Sequence, residues 1–215
     1  MAVKVAELWR YPVKSLGGES LVQATVSAAG IEGDRLVHVE DQAGRVITAR
    51  THPRLLGLHA ALGSDGESWV DGRPWNASSD VADAVRAAAG PGARLVRNIP
   101  GDVFDVLPLS ILTDGAIDSL GVDRRRLRPN ILVGGAEGLA ERAWPGRRLA
   151  IGDAIVGVRK LRGRCVMTTY DPDTQEQDLG VLRRIVSDFG GRMALDCWVI
   201  APGPVAVGDE VTLLE

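Results

Sequence analysis

Through the first seventy residues the apolar positions recur at every second place in short runs. VKVAELWR (3–10) and LVQATVS (21–27) alternate, the period of a half-buried strand. RLVHVED (35–41) and RVITAR (45–50) flank Gln42-Ala43-Gly44 and predict a hairpin. LLGLHAAL (55–62) and SWV (68–70) continue the strand pattern, with turn formers in YPVKSLGGE (11–19) and GIEGD (30–34) between the runs. Later strand-like runs are ARLVRN (93–98), NILVGG (130–135), RLAIGDAIVGVRKL (148–161), CVMTTY (165–170), LDCWVIA (195–201) and EVTLLE (210–215).

The helical period shows in three places. SSDVADAVRAAAG (78–90) has Ser78 or Ser79 as a cap and ends at Gly90-Pro91. LTDGAIDSLG (112–121) has Thr113 to cap it and Gly121 to end it. DLGVLRRIVSDFGG (178–191) sets Leu179, Leu182, Ile185, Val186 and Phe189 near helical spacing before a glycine pair. Strands this dense predict a mainly β architecture with a few short helices, a β-barrel or a sandwich rather than βαβ units, with an N-terminal barrel-like region packed on a second β region. The stretch Asn98-Ile99-Pro100-Gly101 marks the boundary, giving regions 1–98 and 99–215.

Composition narrows the picture. Glycine makes up 26 of 215 residues, above the usual share of about 7%, in keeping with many tight turns. A formal net charge of −3 gives no global footprint for nucleic acid or an anionic membrane surface. The opening MAVKVAELWR has charges where a signal peptide has its apolar core, and no run approaches a membrane span, so a cytoplasmic chain is expected. A chain of this size buries about 70% of its unfolded surface, enough to fold as a monomer. Lysine occurs only at 4, 14 and 160, so 22 of the 25 basic residues are arginine, whose planar fork suits phosphate and carboxylate groups.

Familiar catalytic motifs are missing. There is no P-loop and no G-x-S-x-G, and His38, His52 and His59 lack zinc-ligand spacing. Asp171, Asp173, Glu176 and Asp178 imitate part of a calcium loop, but Leu182 stands where the closing Glu belongs. Four basic turns remain: Lys14-Ser15, Gly33-Asp34-Arg35, Arg128-Pro129-Asn130 and Arg162-Gly163-Arg164-Cys165. Each joins strand to loop, where a β scaffold carries its ligand groups. Arginines at 162 and 164, just before Cys165, create the setting of a reactive or metal-binding thiol; a buried structural cysteine is the alternative, and both readings stay open. Cys197, inside an apolar run, reads as core.

In this order, YPVKSLGGE (11–19), GDR (33–35), TARTHPRLL (48–56), RLRPNILV (126–133), IGD (151–153), RCVMTTYDPDTQEQD (164–178) and VGDEV (207–211) resemble the MOSC family, named for the C-terminal domain of molybdenum cofactor sulfurases, and within it the amidoxime-reducing branch. The resemblance spans nearly the whole chain. It implies a molybdenum cofactor (Mo-molybdopterin), with Cys165 as the protein's sulfur ligand to the metal and the catalytic cysteine. It also implies that Lys14, Ser15 and Arg35 contact the cofactor phosphate, while Arg128, Asn130 and the backbone at Gly163-Arg164 line the pterin side. The activity implied is reduction of small N-hydroxylated or other N–O substrates. Electrons would come from an external flavoprotein, ferredoxin or haem protein, since neither an iron–sulfur nor a desulfurase module accompanies these motifs. A carrier of cofactor or of sulfur on Cys165 is the alternative. Tyr170, Asp171 and Asp173 are open both to proton relay and to turn formation. Two departures stand out: Gln175 replaces the glycine common in DPDTG, and residues 192–203 lack the family's FGxY pattern.

Overall fold

The three helical segments form because each has a local start and stop. The computed structural model describes residues 2–99 and 106–214; the Pro100-Gly101 half of the expected boundary lies outside them. Helix α1 (Ser79–Ala89) is capped by Ser78, whose hydroxyl accepts from the Val81 amide at 3.4 Å. Helix α2 (Asp114–Leu120) is capped by Thr113 and released by Gly121 in the left-handed region, at φ 68°. Helix α3 (Leu179–Phe189) starts at Asp178, which accepts from the Gly180 amide at 2.8 Å, and stops at Gly190, φ 63°.

The rest is mainly β. Eight strands form one sheet in the order Val211–Leu214, Arg148–Ile151, Ala154–Gly163, Arg192–Ala201, Leu109–Thr113, Ile131–Gly134, Lys4–Arg10, Glu19–Leu21. Every neighbouring pair is antiparallel except Leu109–Thr113 with Ile131–Gly134, which is parallel and joined by a crossover containing α2. Three three-stranded sheets complete the frame. In one, Gly203–Ala206 pairs with Gln23–Ser27, so strands from both ends of the chain interleave. The described strands do not close into a ring; the open large sheet and its satellites give the barrel-like form of the expected mainly β class.

Alternation sorts the large sheet's side chains onto two faces. Leu109, Ile111, Leu195 and Cys197 pack on one side with Val5, Leu8, Ile131 and Val158. Leu112, Met193 and Ala194 lie against α2 and α3 through Leu120, Ile185 and Phe189. A third cluster, Val13, Leu16, Val37, Val39, Leu55 and Val85, holds α1 to the small N-terminal sheets. Cys197 is fully buried, and burial pushes its thiol well above the ordinary range.

Two segments read as strands differ. CVMTTY becomes a 3-10 turn, Val166–Thr169, because its hydroxyls bond back along the chain: Thr168 Oγ1 donates to the Cys165 carbonyl at 2.9 Å and Thr169 Oγ1 to that of Val166 at 2.6 Å. Within 55–62, Pro53 opens a 3-10 turn over Pro53–Gly57, leaving only Ala60–Leu62 as strand. Further on, 148–161 folds as a hairpin about Gly152-Asp153, with Gly152 at φ 52°.

Candidate functional site

The basic turns meet at a cavity of about 210 Å³. Its lining includes Lys14, Ser15, Arg35, Arg128, Gly163, Arg164 and Cys165, together with Thr48, Arg50, Arg126, Arg162, Met167 and Thr168. Lys14-Ser15 reaches it because the Lys14 amide donates to the Val37 carbonyl at 2.8 Å, after which the chain turns through Ser15 at φ 73°. Arg35 follows a turn tied to the same segment: its amide donates to the Tyr11 carbonyl at 2.8 Å, and it sits at φ 52°. Arg128 closes the 3-10 turn Arg124–Leu127 at φ 49°. Three residues on one cavity thus hold a conformation that side chains disfavour. Such strain collects where geometry serves a ligand.

Cys165 arrives from the far side. The long strand Ala154–Gly163 ends with Gly163 opposite Arg192, and the Arg164 amide donates to the Gly191 carbonyl at 3.0 Å. Cys165 follows, extended and partly exposed, at the head of the 3-10 turn. A Cβ added to Gly163 would meet no atom within 4 Å, so the strand's end opens onto free space.

The cavity is strongly cationic. Burial, with Arg35 and Arg162 adding repulsion, pushes the Arg128 guanidinium down to about 10. Burial and then Arg162 bring Arg164 down to about 9. Arg164 donates from Nη2 to the Leu127 carbonyl at 2.5 Å, but its buried Nε has no partner in the protein. Arg162 donates to Asp196, a carboxylate fully buried behind the wall, at 3.0 Å. Tyr11 supports the cluster from beneath: Arg128 lies 4.1 Å and Arg35 5.9 Å from its ring centroid. Its hydroxyl donates to the Pro129 carbonyl at 3.2 Å, and burial raises it to about 12.

Asn130 alone of the expected residues is not on the cavity wall. It is fully buried. Its Oδ1 accepts from the Ser110 amide at 3.1 Å, and its Nδ2 donates to the Trp9 carbonyl and to Asp34, both at 3.3 Å. Asp34 also accepts from the Tyr11 amide at 2.7 Å and pairs with Arg35. Asn130 and Asp34 therefore orient the Arg35 turn from behind. Asp34 was missed as a supporting residue, although GDR carried the signal; Arg126, Thr48 and Arg50 sit inside the quoted motifs RLRPN and TART.

Asp171 and Asp173 are occupied as turn and tether, and Tyr170 stands before them with its amide donating to the Met167 carbonyl at 3.3 Å. Asp171 accepts from the Asp173 and Thr174 amides at 3.0 Å each, and these bonds hold its carboxyl below the ordinary range. Arg126 donates to the Thr169 carbonyl and to Asp171, both at 2.9 Å. Arg125 grips Asp173 through two nitrogens at 2.8 and 2.7 Å. Gln175 takes φ 59° where glycine would sit without strain; its Nε2 donates to the carbonyls of Pro172 and Asp173 at 3.2 and 2.8 Å.

The donor set suits an anionic cofactor that brings its own metal ligands. Among the described residues no three His, Cys, Asp or Glu side chains cluster as a metal site. Cys165 can offer one soft sulfur, and the unpartnered Arg164 Nε and the depressed arginines call for negative charge. A pterin dithiolate with a phosphate fits these residues.

This arrangement of strands and basic turns belongs to a known class. The chain matches the MOSC N-terminal beta barrel domain over residues 2–72 and the MOSC domain over residues 113–212, and it belongs to the MOSC-domain family. It is 27% identical over 286 residues to the human mitochondrial amidoxime-reducing component 1, covering 98% of this chain and 82% of that protein. With the human mitochondrial amidoxime reducing component 2 the identity is 26% over 227 residues, covering 79% and 67%. The crystal structure of the YUAD protein from Bacillus subtilis shares the fold, with a TM-score of 0.54 at 16% identity, covering 99% of this chain and 96% of that one. Among the described residues no helix is long and apolar enough to cross a membrane.

Proposed function

We propose that this protein is a molybdenum-cofactor-dependent reductase of small N-hydroxylated compounds. The observation that carries the reading is the convergence of Lys14, Ser15, Arg35, Arg128, Gly163, Arg164 and Cys165 on one cationic cavity. The likeness to amidoxime-reducing components supports the substrate class. Lys14, Ser15 and Arg35 come from the N-terminal region 1–98, while Arg128, Asn130, Gly163, Arg164 and Cys165 come from the region 99–215.

When bound, the cofactor supplies a sulfur-ligated molybdenum that exchanges two electrons. The Cys165 sulfur is its ligand from the protein. Lys14, Ser15 and Arg35 hold the phosphate, and Arg128 with the Gly163-Arg164 backbone holds the pterin side. Asn130 keeps Asp34, and through it Arg35, in register. The net reaction breaks the substrate N–O bond, takes up two electrons and two protons, and releases water. The electrons come from an external flavoprotein, ferredoxin or haem protein.

Molybdenum per chain, measured for wild type and Cys165→Ala from cells that make the cofactor, tests this reading. Near-stoichiometric metal in wild type, with N-hydroxyl reduction lost in the variant, is the expected result. Undiminished turnover in Cys165→Ala overturns it, and metal retained by a wild type that never cycles with an artificial reductant points to a carrier.

A further inference from the structure

A second cavity, of about 130 Å³, lies against the first and shares Arg126, Arg128 and Met167 with it. Its character is different. Trp9, Tyr11, Leu56, Met167 and Tyr170 form its walls, and His59 stands exposed at its rim. Backbone forms another wall at Gly17-Gly18. A Cβ on Gly18 would lie 2.5 Å from the Tyr11 ring, and one on Gly17 would lie 3.2 Å from the His59 ring, so glycine here keeps the chain tight against both rings. An apolar cavity of about 150 Å³ accepts benzene, and the size here is close to that.

Charge decides which kind of ring fits. The guanidinium of Arg125 is already held by Asp123 and Asp173, and that of Arg126 by Asp171 and the Thr169 carbonyl. Arg128 lies over the Tyr11 face. Of the wall's three guanidiniums two are thus committed to carboxylates, and the third, Arg128, is shared with the Cys165 cavity, so this wall is mainly flat aromatic surface edged by cation, which suits a neutral aromatic ring. We infer that this cavity seats the aryl group of the substrate while the group to be reduced faces the Cys165 cavity. The aryl site stands on the cavity alone; the word substrate rests on the reductase reading.

Titration with benzamide, a neutral ring that cannot be reduced at an N–O bond, separates the two claims. Followed by indole fluorescence or by aromatic proton shifts, binding reads out whether or not the chain retains metal. Benzamide is expected to saturate, with acetamide giving no response. His59→Trp, which fills the rim, and Tyr170→Leu, which removes an aromatic wall at similar bulk, should each weaken benzamide by about three- to tenfold. In the cofactor-loaded protein, His59→Trp should also narrow the preference in kcat/KM for aryl over alkyl N-hydroxylated substrates by about tenfold. Benzamide binding that equals that of acetamide, or that is unchanged in both variants, overturns the aryl site. Benzamide binding that follows the variants in a protein without reductase activity upholds the site and fails the function.

Discussion

Two pairs of arginines border the two adjoining cavities and do opposite work. Arg125 and Arg126 are met by carboxylates: Asp123 and Asp173 for the first, Asp171 for the second. Hydrogen bonds that the Arg125 guanidinium donates to Asp173 and Asp123 hold it above its ordinary range. Arg128 and Arg164 are packed among other cations, and burial pushes both down. The first pair clamps the 169–173 segment that follows Cys165. The second pair carries charge that the fold leaves uncompensated, and so favours an anionic guest. Arg125 and Arg128, three positions apart in RRRLRPN, are divided by which carboxylate the fold brings near them.

The strongest way to break this contrast is to neutralise a guest-facing cation. Arg164→Gln should lower cofactor retention by about 30-fold or more, since a buried charge partner is worth roughly 2–5 kcal/mol; molybdenum per chain after dialysis measures it. The metal-free variant should be as stable as wild type or more so by about 1 kcal/mol, because a desolvated, mutually repelled cation has gone; urea unfolding measures that. A large loss of metal-free stability would place Arg164 with the clamps.

Arg126→Met should reverse the pattern. Losing the bonds to Thr169 and Asp171 should destabilise the metal-free chain by about 1–2 kcal/mol, with faster proteolysis at 169–178, while Arg128 and Arg164 keep their depressed character. Unchanged unfolding and unchanged cleavage would remove Arg126 from the clamp.

A pH scan sharpens the comparison with a smaller effect. Arg164 binds its proton less tightly folded than unfolded, so between about 9 and its unfolded value the unfolded chain holds more protons and stability rises with pH. Tyr11, from its ordinary value of 10.0 up to about 12, and Cys197, from 9.0 upward, act oppositely, so over the window pH 9 to 10 the Arg164 contribution is read as the difference between wild type and variant. Any stability advantage of metal-free Arg164→Gln over wild type should shrink across that window, and added phosphate should reduce it further. A gap that widens would refute the assignment.

The smallest effect belongs to Gln175→Gly. Left-handed backbone costs a side-chain-bearing residue about 1–2 kcal/mol, but this glutamine recovers part through its bonds to Pro172 and Asp173. The net gain from glycine should be under about 1 kcal/mol, seen as a slightly higher Tm.

Much of the frame was legible in the chain. Ser78 and Thr113 start two helices as read and glycines 121 and 190 stop two of them, because caps are local chemistry, while the cap at Asp178 is added by the structure. The scattered basic turns pointed toward the candidate cavity: of the eight residues singled out from them, all but Asn130 reach its wall. What could not be read depends on partners far along the chain. Asn130 turns inward because Trp9, Ser110 and Asp34 surround it. Apolar alternation over 165–170 did not reveal that Thr168 and Thr169 would bond to carbonyls three residues back. Nor does any spacing show that Tyr11 lies under Arg128.

The interleaved ends of the chain have a consequence for biosynthesis. Gln23–Ser27 has a near partner in Gly30–Ile31 and Lys4–Arg10 one in Glu19–Leu21, but their other edges are paired by the distant Gly203–Ala206 and Ile131–Gly134. Pairings this distant in sequence form slowly. As the polypeptide leaves the ribosome, Lys14 and Ser15 emerge long before Cys165. The cavity wall is therefore complete only once Cys165 has emerged and joined the N-terminal turns, so any guest that needs both sides of the wall binds after that point.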